Sequence, residues 1–322
     1  MPAGEAGRRH EYRADGEFGL IERVVARLGT GPATIVGPGD DAALVTASDG
    51  RVVASTDVLV EGRHFRRDWA EAEDIGRRAA AANLADIAAM GATATALLVG
   101  LCAPPDLDVA WAEQLSDGLA TEAALVGASV VGGDMTASPT LTIAVTALGD
   151  LHGLPPVLRS GARVGDVVAL AGRVGFAAAG YTVLSRGFRT PKILVEAYRR
   201  PVVPYALGPA AGRAGATSMI DVSDGLIADL GHIAQASKVG VNLHRSAFKV
   251  PEQMRDAALA LGVDPYQWLL AGGDDHALAA TFPADVALPE GWHVIGEVVE
   301  GGTVTLDNRP WYGPKGWDHF RA

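Results

Sequence analysis

The period of the apolar positions changes several times along the chain, and these changes predict alternating strands and helices. The β-branched run VVASTDVLV predicts a strand that carries Asp57 in its interior. The Ala-rich segment IGRRAAAANLADIAAMGA predicts a helix that ends at Gly91, and Asp108–Leu125 has the spacing of a second, amphipathic helix. TALLVGLCAP predicts a buried strand, whereas ASVVGGDMT followed by LTIAVTALGD indicates strand, turn and strand. This alternation favours an α/β or α+β domain that ends near Asp150.

The flanking sequence adds a short N-terminal region and a second domain. Gly19–Leu28 has helical spacing, and IVGPGDDAALV reads as a turn-rich loop that enters a short strand. LHGLPPVLRSGARVGD is rich in turn formers and predicts a linker. Beyond it we expect strands at VVALAG, TSMIDV, VGVNLH, GWHVIGEV and GGTVTLD, and helices at 175–185, 225–236 and PEQMRDAALALG. The predicted domains are a flexible tail at 1–15, an N-terminal domain at 16–152 and a C-terminal domain at 153–322.

Composition and charge limit the kinds of binding partner and the cellular compartment that we expect for this chain. A chain of 322 residues fits two domains, and 38 acidic against 27 basic residues give a net charge of −11. Since no block of Lys and Arg could follow a phosphate backbone, nucleic acid is not an expected partner. The single Cys102 cannot form an internal disulfide, which favours a reducing, cytoplasmic location. The apolar stretch before it is interrupted by Asp86 and Gly91, so we expect no membrane span.

Acidic residues recur in short motifs that could carry chemistry. A single Gly-Asp pair is usually only a turn, but two of the aspartates lie where an unpartnered carboxylate is costly. Asp86 falls in an almost wholly apolar helix, on the predicted buried side, and Asp57 interrupts a strand. Because few Lys or Arg residues are near, divalent cations are the favoured counter-charge, and oxygen ligands suit Mg²⁺ or Ca²⁺ better than zinc. The motifs are Gly39-Asp40-Asp41, Ser55-Thr56-Asp57, Asn83-x-x-Asp86, Gly132-Gly133-Asp134, Asp221-x-Ser223-Asp224-Gly225 and Gly272-Gly273-Asp274-Asp275.

Carboxylates linked by cations indicate phosphate chemistry, in which metals bridge phosphoryl oxygens. The sequence has no G-x-x-x-x-G-K-[ST] loop. Gly37-x-Gly39-x-x-Ala42 nominally fits the dinucleotide fingerprint, but Asp40 and Asp41 within it would repel a bare pyrophosphate. We therefore expect phosphates that are bridged by metal ions.

Eight motifs, read in order, resemble those of the thiamine-monophosphate kinase family, in the aminoimidazole-ribonucleotide-synthetase superfamily. They are GEFGLIERV, GPGDDAALV, STDVLVEGRHF, NLADIAAMGA, VVGGDMT, RSGARVGD, IDVSDGLIADLGHI and AGGDDHAL, from about Gly16 to the C-terminus. The resemblance implies that ATP and thiamine monophosphate react, with Mg²⁺, to give ADP and thiamine diphosphate. It also implies an N-terminal α/β domain whose sheet pairs across a homodimer, and an α+β C-terminal domain.

The resemblance also implies roles for individual residues. Catalysis is expected to depend most on Asp57, Asp134 and Asp224. The chain departs from the family's usual Gly-Gly-Glu-Asp-aromatic pattern at Asp274 and His276, and the shorter carboxylate of Asp274 would need a shifted ligand or a water. The implied magnesium ligands are Asp41, Ser55, Thr56, Asp57, Asp86, Asp134, Asp221 and Asp224; the implied nucleotide contacts are Gly133, Asp134, Arg159 and Ser223; the implied substrate contacts are His64, Asp274 and Trp317.

Three alternatives stay open at this point. Aminoimidazole-ribonucleotide synthetase shares the fold, although STDVLVEGRHF and IDVSDGLIADLGH fit the thiamine enzyme better. Selenophosphate synthetase uses a reactive Cys or selenocysteine near its N-terminus, and this chain has none there. A non-catalytic metal-binding or regulatory protein could carry the same carboxylates. Release of ADP that depends on thiamine monophosphate would separate an enzyme from that last class.

Overall fold

The structure is a computed structural model that describes residues 21–38 and 43–317. The chain divides into two compact units. One consists of residues up to 46, 56–80 and 95–147, and the other of 47–55, 81–94 and the chain from 148 onward. The predicted domain limits at 15, 152 and 322 stay a prediction.

The first half of the chain forms a four-stranded sheet with the strand order β3-β6-β4-β5. Every second side chain along β6 is buried, including Ile143 and Val145, which accounts for the strict alternation of the sequence. Strands β4 and β5 pair in parallel, and a small ribbon, β1 with β2, precedes the sheet. The elements are β1 Thr34–Val36, β2 Leu44–Val45, β3 Val53–Val60, α1 Ala72–Ala89, β4 Thr93–Ala103, α2 Val109–Ala124, β5 Ser129–Ala137 and β6 Thr142–Asp150.

The backbones of helices α1 and α2 come close together at two glycines. A Cβ on Gly76 would lie 2.1 Å from the Leu115 carbonyl oxygen, and one on Gly118 would lie 2.1 Å from that of Glu73. Helix α2 begins where the Asp108 side chain accepts a hydrogen bond from the amide of Ala110, and it packs on β5. Glycine therefore permits this close approach of the two helix backbones.

The second half of the chain forms a seven-stranded sheet with the strand order β13-β12-β9-β11-β7-β10-β8. Its pairs are antiparallel except β9 with β12. Strands β8 and β10 are wholly buried, and α6 packs on β8. The elements are β7 Val167–Ala171, α3 Phe176–Ser185, α4 Lys192–Arg199, α5 Leu207–Arg213, β8 Ser218–Val222, α6 Leu226–Ser237, β9 Gly240–Leu243, α7 Glu252–Leu261, α8 Pro265–Ala271, β10 Ala277–Phe282, β11 Trp292–Val299, β12 Val304–Leu306 and β13 Arg309–Pro310.

The predicted fold class, with α/β and α+β parts, is confirmed, and so are the main predicted strands and helices. Three helices, α4, α5 and α8, were not predicted, because each is short and has Pro or Gly within it or at its ends. The helix predicted over 19–28 is helical only to residue 25 within its described part. Among residues 21–38 and 43–317, no helix is both long and apolar enough to cross a bilayer.

Candidate active site

An acidic turn follows β8 in the second unit. Asp221 is the penultimate residue of β8 and is 4% exposed. The chain then turns through Ser223 and Asp224 to Gly225, whose φ of 130° and close approach to the Ala271 backbone both require glycine. Asp229, in the first turn of α6, accepts hydrogen bonds through Oδ2 from the amides of Asp224 (3.1 Å) and Gly225 (3.0 Å). A buried carboxyl group thus fixes the turn that presents Asp224.

The second acidic turn, Gly272–His276, lies against the first. The amide of Asp274 donates to the Ser223 carbonyl at 2.8 Å, and that of His276 donates to the Val222 carbonyl at 3.1 Å. A Cβ on Gly273 would lie 2.0 Å from the Ser223 oxygen, so only glycine allows the two backbones to meet. The exposed Asp274 therefore stands beside the Ser223-Asp224 turn.

His276, the residue before β10, has its side chain against Asp221 of β8. The Nδ1 atom of its buried ring lies 3.1 Å from Asp221 Oδ2. Burial alone would lower the pKa of this imidazole, but the hydrogen bond and charge of Asp221, together with the charges of Asp274 and Asp86, raise it. The His276 ring nitrogen and the Asp221 carboxyl group thus form a buried hydrogen-bonded pair.

Two further buried carboxyl groups hold this region. Burial, reinforced by the charges of Asp221 and Asp224, raises the pKa of Asp229 to about 8. Burial likewise raises the pKa of Asp275 to about 7. Asp275 Oδ1 accepts a hydrogen bond from the amide of Ala177 at 3.0 Å, whereas its Oδ2 has no hydrogen-bond partner within the described part of the chain.

Asp86 is half-buried, and the prediction that it lies fully buried is wrong. The helix around it is buried as predicted, but this position opens toward the Ser55 hydroxyl, which donates to Asp86 Oδ2 at 2.6 Å. The sequence required a cation or a donor for this carboxylate, and Ser55 is such a donor. Because the charge of Asp86 also acts on His276, the two groups lie in the same electrostatic environment.

Another acidic set lies on the sheet of the first unit. Asp57 is half-buried within β3, and Asp134 is exposed within β5. The Thr56 hydroxyl donates to the Val145 carbonyl and accepts from Thr146, both at 3.0 Å. These side chains are carried by regular strands and are accordingly held in fixed directions.

Strand β5 runs unbroken through the Gly-Gly-Asp segment, and the connection predicted between the two strands lies at 138–141, before β6. Gly133 pairs with Val99 and Asp134 with Gly100 in a parallel ladder. A Cβ on Gly133 would lie 1.9 Å from the Val99 carbonyl oxygen. The glycine is thus required by strand contact, not by a turn.

The remaining predicted residues are dispersed. His64 Nδ1 accepts a hydrogen bond from the Val60 amide at 2.9 Å. Trp317 is 52% exposed, and its amide donates to the Asp224 carbonyl at 2.9 Å. Arg159 is exposed, and its carbonyl accepts from the Ser237 hydroxyl. Asp41 lies outside the described residues.

The structure therefore brings part of the predicted set together. In the second unit it gathers Asp221, Ser223, Asp224, Asp274 and the Trp317 backbone, with Ser55 and Asp86 joined to each other. The first unit carries Thr56, Asp57, His64, Gly133 and Asp134.

Sequence reasoning missed Asp229 and Asp275 as supports of this site. Asp229 carried a signal, because an aspartate within the apolar helix LIADLGHI needs a donor, as Asp86 did. Asp275 carried none beyond its motif, since its amide partner, Ala177, is distant in sequence.

No three described His, Cys, Asp or Glu side chains are grouped so that they could hold a metal ion by themselves. Magnesium commonly keeps several waters and binds through one or two carboxylates together with substrate phosphates. The carboxylates of Asp221, at the end of β8, and Asp224, in the turn that follows, offer hard oxygen donors of that kind. The donor chemistry therefore fits Mg²⁺ that is bound together with a phosphate ligand.

The raised pKa of Asp275 predicts a pH-dependent cost to stability. An ordinary aspartate in the unfolded chain loses its proton near pH 4, whereas folded Asp275 keeps it to about pH 7, so stability falls as pH rises between these values. Asp275→Asn does not titrate, and its stability relative to the wild type should rise over this window by about 4 kcal/mol. Urea unfolding of metal-free protein at several pH values measures this difference.

The control for that experiment is Asp256→Asn, at an exposed position on α7. It should follow the wild type throughout. A difference between Asp275→Asn and the wild type that does not change with pH would show that folded Asp275 is ionised.

Comparison with known proteins identifies the family. The model for the N-terminal domain of AIR synthase related proteins matches residues 39–151, and the model for their C-terminal domain matches residues 163–307. The thiamine-monophosphate kinase of Mycobacterium tuberculosis is 49% identical over 308 residues, which cover 95% of this chain and 92% of the relative.

Solved structures agree. The thiamine-monophosphate kinase of Stenotrophomonas maltophilia K279a is 31% identical, with a TM-score of 0.78, over 91% of this chain and 97% of that one. A structure described as AaThiL complexed with AMPPCP and TMP is 31% identical, with a TM-score of 0.79, over 96% of this chain and 98% of that one. With both family domains and relatives of this closeness, the chain belongs to the thiamine-monophosphate kinase family of AIR synthase related proteins.

Proposed function

We propose that this chain transfers the γ-phosphoryl group of ATP directly to the phosphate of thiamine monophosphate, with the assistance of Mg²⁺, and releases ADP and thiamine diphosphate. The overall reaction, ATP-dependent phosphorylation of thiamine monophosphate, is that of the family to which the chain belongs. The chain is accordingly an enzyme of the kinase class. The observation that carries the direct, metal-assisted route is the pair of acidic turns that stand side by side in the second unit.

The main obstacle to this reaction is electrostatic. A phosphate monoester oxygen is already anionic near neutral pH, so the nucleophile needs no strong base, but two polyanions repel each other. Bound Mg²⁺ supplies charge neutralisation and positioning for the phosphates. The carboxylates proposed to hold Mg²⁺ are Asp57, Asp86, Asp134, Asp221 and Asp224, with Ser55, Thr56 and Asp41 as the further proposed ligands.

The proposed substrate contacts follow from the local geometry. Because His64 Nδ1 accepts from the Val60 amide, its Nε2 carries the proton of the neutral ring and can donate to an acceptor phosphate. The half-exposed ring of Trp317 offers a flat apolar face for a heterocycle. Asp274 is exposed and reaches its substrate through a shorter side chain than Glu. Gly133, Asp134, Arg159 and Ser223 are the proposed nucleotide contacts.

The competing activities are less well supported. Relatives that are 36–49% identical over 95% of the chain are thiamine-monophosphate kinases, which disfavours aminoimidazole-ribonucleotide synthetase and a non-catalytic metal-binding protein. The cytoplasmic location stays a prediction that rests on the single cysteine.

Purified protein with ATP and Mg²⁺ should form ADP only when thiamine monophosphate is added, and thiamine diphosphate should appear in equal amount. Thiamine should be at least about 10²-fold slower, because its hydroxyl is a weak nucleophile without a general base. A coupled ADP assay with product chromatography measures both rates. Efficient phosphorylation of thiamine would contradict direct attack by a phosphate oxygen. ADP release at the same rate with and without either acceptor would contradict the kinase assignment.

Asp57→Asn and Asp134→Asn should each lower kcat by about 10²–10³-fold, since an amide keeps the shape of the side chain but removes the charge that holds Mg²⁺. Both variants should keep the circular dichroism spectrum of the wild type. The matched control is Asp106→Asn, an exposed aspartate of the same unit, which should retain the wild-type rate. Near-normal turnover of either variant at saturating Mg²⁺ would remove that residue from the ligand set.

We propose a homodimer that forms through the four-stranded sheet, where Val58 is 49% and Leu98 is 37% exposed. Light scattering at micromolar concentration should give about twice the chain mass of 33.2 kDa. Val58→Lys should shift the population toward monomer, whereas Val52→Lys, at a similarly exposed valine, should not. A wild-type particle with the mass of one chain would contradict the dimer.

A further inference from the structure

The backbone of His276 is fixed by main-chain hydrogen bonds to β8. It has a φ of 50° and directly precedes β10, whose first residue, Ala277, pairs with Val222. The His276 amide donates to the Val222 carbonyl at 3.1 Å. This bond and the strand ladder fix the His276 Cα relative to β8, and therefore relative to Asp221.

The His276 side chain contacts one oxygen of the Asp221 carboxyl group. His276 Nδ1 lies 3.1 Å from Asp221 Oδ2, and the two side chains are each 6% exposed. An ionised carboxylate can only accept hydrogen bonds, so Nδ1 must carry the proton and donate. The bond occupies Oδ2 and leaves Oδ1 as the oxygen through which Asp221 can bind another group.

The surrounding charges make such a donor necessary. Asp224 and Asp221 both act on Asp229, and Asp274 and Asp86 act with Asp221 on His276, so Asp221 lies among several acidic groups. The hydrogen bond from His276 holds Asp221 Oδ2 in one direction among these charges. His276 can therefore keep Asp221 correctly turned before any ligand arrives.

We infer that His276 is a positioning residue that orients Asp221 for cation binding by holding its Oδ2. The inference rests on the proposed function, in which Asp221 is a magnesium ligand. The outer partner of a metal ligand fixes its orientation, and the loss of such a partner commonly weakens metal binding by about 10–100-fold.

The test compares two variants at this position. His276→Phe keeps a ring but removes the donor, whereas the amide nitrogen of His276→Asn can occupy the place of Nδ1, and Asn also tolerates a positive φ. With Mn²⁺ as the probe, in the presence of a non-hydrolysable ATP analogue, calorimetry should give a Kd about 10-fold or more higher for His276→Phe. His276→Asn should lie within about 3-fold of the wild type, because the hydrogen bond to Asp221 is restored.

His293→Asn is the control for the loss of a histidine as such, because His293 lies exposed on β11. It should bind Mn²⁺ as the wild type does. A His276→Phe variant that keeps the wild-type melting temperature and the wild-type Kd for Mn²⁺ would overturn the inference. So would a His276→Asn variant that folds normally but binds Mn²⁺ as weakly as His276→Phe.

A second measurement needs no variant at His276. Nitrogen-15 spectra of the metal-free wild type, labelled at its eight histidines, should show His276 with a protonated Nδ1, and Asp221→Asn should shift that signal. An unprotonated Nδ1 would overturn the inference even if His276→Phe did not fold. If Asp221→Asn shifts the His276 signal but leaves Mn²⁺ affinity and kcat unchanged, the proposed metal role of Asp221 fails, and with it the purpose assigned to His276.

Discussion

The site of the second unit depends on the contact between two backbone turns, where the amide of Asp274 meets the carbonyl of Ser223 at 2.8 Å. This contact exists only because Gly273 has no Cβ, which would lie 2.0 Å from the same carbonyl oxygen. It joins the turn after β8 to the turn before β10, and the β8–β10 ladder continues directly from it. Main-chain hydrogen bonds therefore fix the positions from which the acidic side chains of both turns project.

The carboxyl groups around this contact divide into supports and candidate ligands. Asp229 and Asp275 are buried and accept backbone amides, and their raised pKa values indicate that burial favours the neutral form. Asp224 and Asp274 are open to solvent at least in part, where an ionised group is less costly. Asp221 is the exception, since it is buried but has the His276 donor. Its environment therefore supplies a side-chain donor, whereas Asp229 and Asp275 accept from main-chain amides.

The sequence predicted the elements better than their contacts. The strand around Asp57 and the Ala-rich helix around Asp86 have unambiguous periodicity, and both are confirmed. The partner of Asp86 was beyond reach, because Ser55 lies 31 residues away and periodicity carries no information on which strand faces which helix. The side chain of His276 was equally unpredictable, because its direction follows from a positive φ and from a strand pairing that joins distant segments. The resemblance to the family supplied the set of candidate site residues. The structure then showed which neighbouring groups hold Asp86 and Asp221 in place.

The two described Gly-Gly-Asp motifs share a requirement that the usual turn rule does not capture. A Gly-Asp pair usually marks a turn, which holds for Gly273, between a helix and a strand, but not for Gly133, in the middle of β5. Their shared property is the approach of a neighbouring carbonyl oxygen, at 1.9 Å and 2.0 Å from where a Cβ would be. In both cases the second glycine lets the backbone approach an adjacent strand or turn. The aspartate that follows this glycine is exposed to solvent. The recurrence of the motif in both units therefore reflects one steric requirement, which is to place a solvent-facing carboxylate on a backbone that its neighbour holds rigidly.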